Sequence, residues 1–259
     1  MPCGAAWLAN ALLELGLAID NLWGFDTRAE WSIEPNQSRR YVAEHGPWRQ
    51  TLAALQPGRV FPAPIGPQVS FSHQLPHELP TAEQRILIVR DPRDALHSEW
   101  QRQRRNSGYQ ADFSEFLSSP FFDTPLSQRD YLFSHLSQWL DAWQAQSPPC
   151  LLVRFEDFKQ QPTASLDRIT RWLGLGFEVP ALQAACEASD VRHLQRIERE
   201  IEQQQHSSRQ FNRRGQAFEW RSQWQPDWHQ AFGTDWRPML DRLRYPSHAT
   251  DFSRGRQAQ

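Results

Sequence analysis

Apolar residues recur at helical spacing near the start of the chain: in GAAWLANALLELG, Trp7, Leu8, Ala11, Leu12 and Leu15 share a face. Gly16 follows where a left-handed C-terminal cap is wanted, so the pattern predicts a helix entered from a glycine turn at Gly4. Residues 20–67, rich in Trp, Pro and Arg, have weak periodicity and predict short helices and loops. Two short strands are expected next, Gln68 to His73 and Arg85 to Val89. The second, RILIV, is apolar enough to lie in a parallel sheet covered on both faces, and Asp91-Pro92 ends it.

Beyond it the pattern predicts a helix from Pro92 to about Arg105, an aromatic loop around Phe121 and Phe122, and a helix from Leu126 to Gln146. A strand over Cys150 to Phe155, a helix over Pro162 to Leu173 and one or two helices from Pro180 to about Gln204 follow. The motif FNRRGQAFEWR precedes a last helix, Asp235 to Leu243. Strands alternating with helices, without internal repeat, predict a three-layer α/β fold with a central parallel sheet flanked by helices. One domain over residues 1–245 and a disordered polar tail over 246–259 are expected.

The 259 residues suffice for a sizeable core, and no compositional break divides them. A formal net charge of -2 gives no reason for general nucleic-acid affinity, so any anion site must be local. Positive charge is almost all arginine, since Lys159 is the only lysine, and arginine offers planar, bidentate anion recognition. Cys3, Cys150 and Cys186 show neither a disulfide framework nor metal-ligand spacing. No apolar run approaches the ~20 residues of a membrane span, and Met1 to Ile19 lacks signal-peptide features. A cytoplasmic location is expected, with no metal.

Three segments carry candidate chemistry. In ILIVRDPRDALHSEW, Arg90 sits where a buried strand ends, the edge at which open parallel sheets bind ligands, and Ser98 lies two helical turns on. Both are placed to reach one phosphate; equally, Arg90, Asp91, Arg93 and Asp94 could pair locally and fasten a loop. In LLVRFEDF, Glu156 and Asp157 read as helix-start carboxylates serving the scaffold. In FNRRGQAFEWR, Arg213 and Arg214 before Gly215 offer two guanidinium groups on a flexible turn, a phosphate clamp or a solvated basic loop.

In this order the segments resemble the PAPS-dependent sulfotransferase family (PAPS is 3′-phosphoadenosine 5′-phosphosulfate), a P-loop-like α/β fold. Arg90, Asp91, Pro92, Arg93, Asp94 and Ser98 match the family's V-R-[ND]-P-R-D element and its following serine. Phe155-Glu156-Asp157 stands for its Y-E-D turn, and Phe211, Arg213, Arg214, Gly215, Glu219 and Trp220 match its F-x-R-K-G element, with Phe218 replacing a glycine. The resemblance implies that Arg90, Ser98, Arg213 and Gly215 hold the donor's 3′-phosphate, that Arg214 adds charge, and that Trp7 and Phe155 flank the adenine. Ser189 is a weaker match to a donor-contacting serine.

The family's 5′-phosphosulfate loop, P-[KR]-[ST]-G-[ST]-[ST]-W, appears as Met1-Pro2-Cys3-Gly4-Ala5-Ala6-Trp7. Glycine and tryptophan remain, while the basic and hydroxyl residues are absent. By resemblance Cys3, Gly4, Ala5 and Ala6 surround the sulfate end through backbone N–H groups and a helix N-terminus. The family also has a strand before this loop; either this fold lacks it or the true start lies upstream of Met1.

Sulfuryl transfer needs a base beside the attacking hydroxyl, and histidine suits neutral pH. His73, at the end of QVSFSH, is the candidate because Phe71 to Pro76 resembles the family's K-T-H-L-P; His77 is the alternative in another register. His97 is expected on a helix surface. The resemblance implies sulfuryl transfer from PAPS to a hydroxyl or amine of a small-molecule or glycan acceptor, with PAP as product. The rival is a catalytically inactive relative that binds PAP or PAPS as a regulatory module. A P-loop kinase would need GxxxxGK[ST], which is absent. Acceptor identity and oligomeric state have no sequence signature.

Overall fold

The computed structural model describes residues 4–17, 19–21, 65–67, 69–72, 74–79, 82–193, 195–196 and 217–246. Helix α1 (Ala5–Glu14) is entered from Gly4 at φ 91°. It ends in a Schellman motif: Leu17 N–H donates to Leu12 O and Gly16 N–H to Leu13 O, both at 3.0 Å, with Gly16 at φ 95°. Strand β1 (Ile19–Asn21) pairs in parallel with β2 (Val69–Phe71). Strand β3 (Arg85–Val89) pairs in parallel with β4 (Cys150–Arg154), Arg85 opposite Cys150 and Val89 opposite Arg154. The connection between β3 and β4 carries α2 (Pro92–Ser107), α3 (Phe113–Ser118) and α4 (Gln128–Ala145). After β4 come α5 (Phe155–Gln160), α6 (Pro162–Trp172), α7 (Val179–Ala188), α8 (Trp220–Gln223), α9 (Pro226–Phe232) and α10 (Arg237–Arg242).

The β3–β4 pair separates two apolar cores, as the two-residue period of a strand requires. Leu87, Val89 and Cys150 face one, with Leu96, Trp100, Phe113, Leu140, Trp236 and Leu240 from the helices packed there. Leu151 and Val153, flanked by Ile86 and Ile88, face the other, with Leu12, Phe158, Leu166, Ile169 and Leu182. This is the expected α/β layering of helices on both faces of parallel strands. Pairing among the described residues nevertheless forms two separate two-stranded sheets rather than one continuous sheet. No helix among the described residues is long and apolar enough to cross a membrane.

The structure departs from the pattern at several places. Helix α3 occupies part of the expected aromatic loop and is set by a capping box: Glu115 N–H donates to Asp112 Oδ1 at 2.9 Å and Asp112 N–H to Glu115 Oε2 at 3.2 Å. Helix α5 begins at Phe155, expected as the last residue of the strand, so β4 stops one residue early. Helices α8 and α9 fall in a Trp-rich stretch without clear period. His97 is not on the surface: it is 1% exposed, its ring 5.6–5.8 Å from those of Trp100, Phe113 and Trp228. Residues 22–64, Arg213-Arg214-Gly215 and the tail beyond Pro246 lie outside the described residues.

Candidate functional site

Strands β3 and β4 end together. With Val89 opposite Arg154 in a parallel ladder, the next residues, Arg90 and Phe155, leave the sheet side by side at its C-terminal edge. The Arg90 guanidinium lies over the Phe155 ring, 4.7 Å from its centroid. Gly4 packs on the edge of the same ring: a Cβ there would lie 2.4 Å from Phe155 Cδ2. That contact and the positive φ of 91° both demand glycine. The glycine turn, the strand-end arginine and the aromatic residue, far apart in sequence, therefore meet where open parallel sheets bind ligands.

Arg90 is 7% exposed, and its Nη2 stands 3.6 Å from Asp94 Oδ2. Burial pushes the Asp94 carboxyl above its usual range; Arg90 and the Trp220 N–H pull it back only in part. Ser98, half-buried, sits in the second turn of α2.

The rest of the Arg-Asp-Pro-Arg-Asp segment serves the fold. Asp91 Oδ1 caps α2 by accepting from Arg93 N–H at 3.0 Å. The Arg93 fork holds the same carboxylate at 2.9 and 2.8 Å and reaches Pro246 O at 2.8 Å. Trp220 docks on both acids: its N–H donates to Asp94 Oδ1 at 2.9 Å and its Nε1–H to Asp91 Oδ2 at 3.1 Å, beneath the Arg93 guanidinium at 3.9 Å. Glu156 accepts from Asp91 N–H at 3.0 Å and from Tyr245 Oη at 2.6 Å, while Asp157 pairs with Arg154 at 2.8 Å. Local pairing thus accounts for Asp91, Arg93 and the scaffold carboxylates, and Arg90, paired with Asp94, also lies over Phe155. Trp220 also ties the end of the FNRRGQAFEW segment to the start of α2.

The other expected site residues divide as follows. Ala5 and Ala6 open α1; Cys3 and His73 lie outside the described residues. Trp7 packs tilted against Phe158, 4.7 Å between centroids, and not against Phe155. Ser189 is fully buried; its hydroxyl donates to Ala185 O at 2.7 Å and accepts from Asn10 Nδ2 at 2.8 Å, tying α7 to α1. Its one proton is thereby used, leaving none for a phosphate oxygen. His77 is exposed. Lys159, which no motif singled out, stands one turn beyond Phe155 with Nζ 6.0 Å from that ring's centroid; its one sequence signal is that the chain has no other lysine.

The sequence profile of the sulfotransferase domain matches residues 67–243, most of the chain. The chain belongs to the sulfotransferase family. Solved structures agree in fold. A mouse sulfotransferase complexed with PAP is similar at 16% identity and a TM-score of 0.56, over 93% of this chain and 80% of that one. Retinol dehydratase in complex with androsterone and inactive cofactor PAP is 16% identical, TM-score 0.59, over 96% and 81%. Retinol dehydratase with retinol and PAP is 18% identical, TM-score 0.59, over 95% and 81%. No curated protein matches the sequence. The profile match takes in the sulfotransferase's Arg90, Phe155 and Trp220 but begins after the Gly4 turn, which is joined to the site by its packing on Phe155.

Proposed function

We propose that this sulfotransferase moves a sulfuryl group from PAPS to a hydroxyl or amine of a small-molecule or glycan acceptor in the cytoplasm and releases PAP. The observation that carries the reading is the meeting of Gly4, Arg90 and Phe155 at one sheet edge in a chain of this family. The relatives of the same fold, solved with PAP and in one case with retinol or androsterone, support the nucleotide and a small apolar alcohol as acceptor. The free, buried thiols of Cys150 and Cys186 support a reducing compartment.

In this reading Arg90 and Ser98, with Arg213 and Gly215, hold the 3′-phosphate, and Arg214 adds charge. Phe155 borders the adenine, with Trp7 on Phe158 beside it. Backbone N–H groups from Cys3 to Ala6, backed by the N-terminus of α1, surround the sulfate end. His73, two residues past β2, takes the proton of the acceptor hydroxyl as its oxygen bonds to sulfur and the bond from sulfur to the 5′-phosphate oxygen breaks. Calorimetry with PAP, beside a transfer assay using labelled PAPS and a panel of alcohols, sterols, amines and saccharides, tests the proposal. Binding with transfer to at least one acceptor is expected. Absence of PAP binding overturns it, and binding without any transfer makes the chain a nucleotide-binding module.

A further inference from the structure

The donor is a polyanion, yet residues 1–7 carry no basic side chain. Other parts of the fold can supply cations. Two converge on the ring that Gly4 touches: Arg90 at 4.7 Å from the Phe155 centroid and Lys159 at 6.0 Å. Residues 155 and 159 are four apart on α5, so the lysine stem rises on the helix face that carries the ring. Among the described residues Lys159 makes no hydrogen bond or ion pair. Burial pushes its ammonium below the usual range; Asp190 opposes this through space, and the repulsion of Arg90 adds to it. Arg90 is already paired with Asp94 at 3.6 Å, and an anion that reaches both cations relieves the repulsion that remains between them.

We propose that Lys159 is a nucleotide-binding residue whose ammonium, together with Arg90, holds the 3′-phosphate of the donor; the inference rests on the PAPS reading above. The lysine touches the nucleotide through its charge, and its chain-wide uniqueness makes it addressable.

Calorimetry with PAP and with 5′-AMP, which lacks the 3′-phosphate, on the wild-type chain, Lys159→Met and Lys159→Arg tests this. Methionine keeps the aliphatic stem and arginine keeps the charge. Lys159→Met is expected to lose about tenfold in PAP affinity, the size of one charge-assisted contact, with little change for 5′-AMP, and Lys159→Arg to recover most of the loss. Wild-type PAP binding with an unaffected Lys159→Met overturns this inference and leaves the proposed function standing. An equal penalty on PAP and 5′-AMP overturns the assignment to the 3′-phosphate. Absence of wild-type PAP binding overturns both proposals. Should Lys159→Met fail to fold, reductive dimethylation with ¹³C on the wild-type chain gives one lysine signal. PAP is expected to move its titration to higher pH, since an anion favours the charged amine; a titration unmoved by saturating PAP overturns the inference.

Discussion

Trp220 binds two acids on one helix start: its backbone N–H donates to Asp94 at 2.9 Å and its indole N–H to Asp91 at 3.1 Å. The contact spans well over a hundred residues and turns the Arg-Asp-Pro-Arg-Asp segment into a dock for Trp220, a few residues after Arg213-Arg214-Gly215 in sequence. Trp220→Phe keeps the backbone bond and removes the indole bond from a buried carboxylate, at an expected cost of about 1–2 kcal/mol. Urea unfolding reads that loss. If the dock also sets the basic segment, PAP affinity falls in the same variant; unchanged affinity would detach Trp220 from the nucleotide site.

Gly4→Ala tests the packing of the glycine turn. The new Cβ meets Phe155 Cδ2 at 2.4 Å on a backbone at φ 91°, so strain of about 2 kcal/mol or more is expected. Phe155→Ala in the same chain removes the clash but not the backbone strain. The double variant should therefore be more stable than the sum of the single losses implies, which a double-mutant cycle in urea measures. An additive cycle would show that glycine and ring are not in contact.

Ser189 separates scaffold from ligand contact. Its hydroxyl joins Ala185 O and Asn10 across α7 and α1, so Ser189→Ala removes the 2.8 Å bond, leaves the Asn10 amide its longer bond to Ala188 O, and costs about 1 kcal/mol. PAP affinity, measured on the folded fraction, is expected to stay within about twofold. A selective loss of affinity at unchanged stability would restore the serine to the donor site.

Much of the layering was legible because it depends on local periodicity. Strand β3 runs over the residues expected, and the Schellman end of α1 follows from Gly16, since few other residues take φ 95° cheaply. Short helices were not legible in the same way. The α3 capping box, Asp112 with Glu115, is a local signal hidden beside a run of aromatics, and α5 is too short to show a period. His97 was misread because α2 is strongly polar along its length, yet its first turns carry buried Asp91, Arg93, Asp94 and His97. Such burial depends on partners such as Trp220 and Trp228, more than a hundred residues away. The motif order singles out Arg90 and Phe155 as expected site residues; only the β3–β4 register shows that they touch.

His135 gives the fold a pH dependence of definite sign. Burial, only partly offset by Glu78, pushes its pKa down to about 4, beside the Tyr131 ring at 5.8 Å. The unfolded chain, with a histidine pKa of about 6.5, binds this proton more readily than the folded chain, so stability falls as pH drops from about 6.5 to about 4. Allowing for the partial exposure of the ring, the loss from this residue is about 1–2 kcal/mol. His135→Phe keeps an aromatic ring against Tyr131 and should flatten that part of the stability profile. Urea midpoints at pH 5 and pH 7 compare the two chains; an equal pH difference in both would remove His135 as its source.

The contacts of Tyr245 and Pro246 predict a C-terminal boundary of the domain just after them. Tyr245 is 2% exposed and donates to Glu156 at 2.6 Å, and Pro246 O accepts from Arg93 at 2.8 Å. Glu156 in turn accepts from Asp91 N–H, so one chain of hydrogen bonds runs from the end of the described segment to the start of α2. Burial holds the Glu156 carboxyl above its usual range, and the Tyr245 hydroxyl is among the bonds that favour its charged form. A chain ending after Pro246 should unfold at the same urea concentration as the full chain. One ending after Arg244 loses the ring, the hydroxyl and the carbonyl together, and about 3 kcal/mol or more of stability is expected to go with them. Equal stability of the two truncated chains would move the boundary inward and leave Glu156 to be satisfied without the tyrosine.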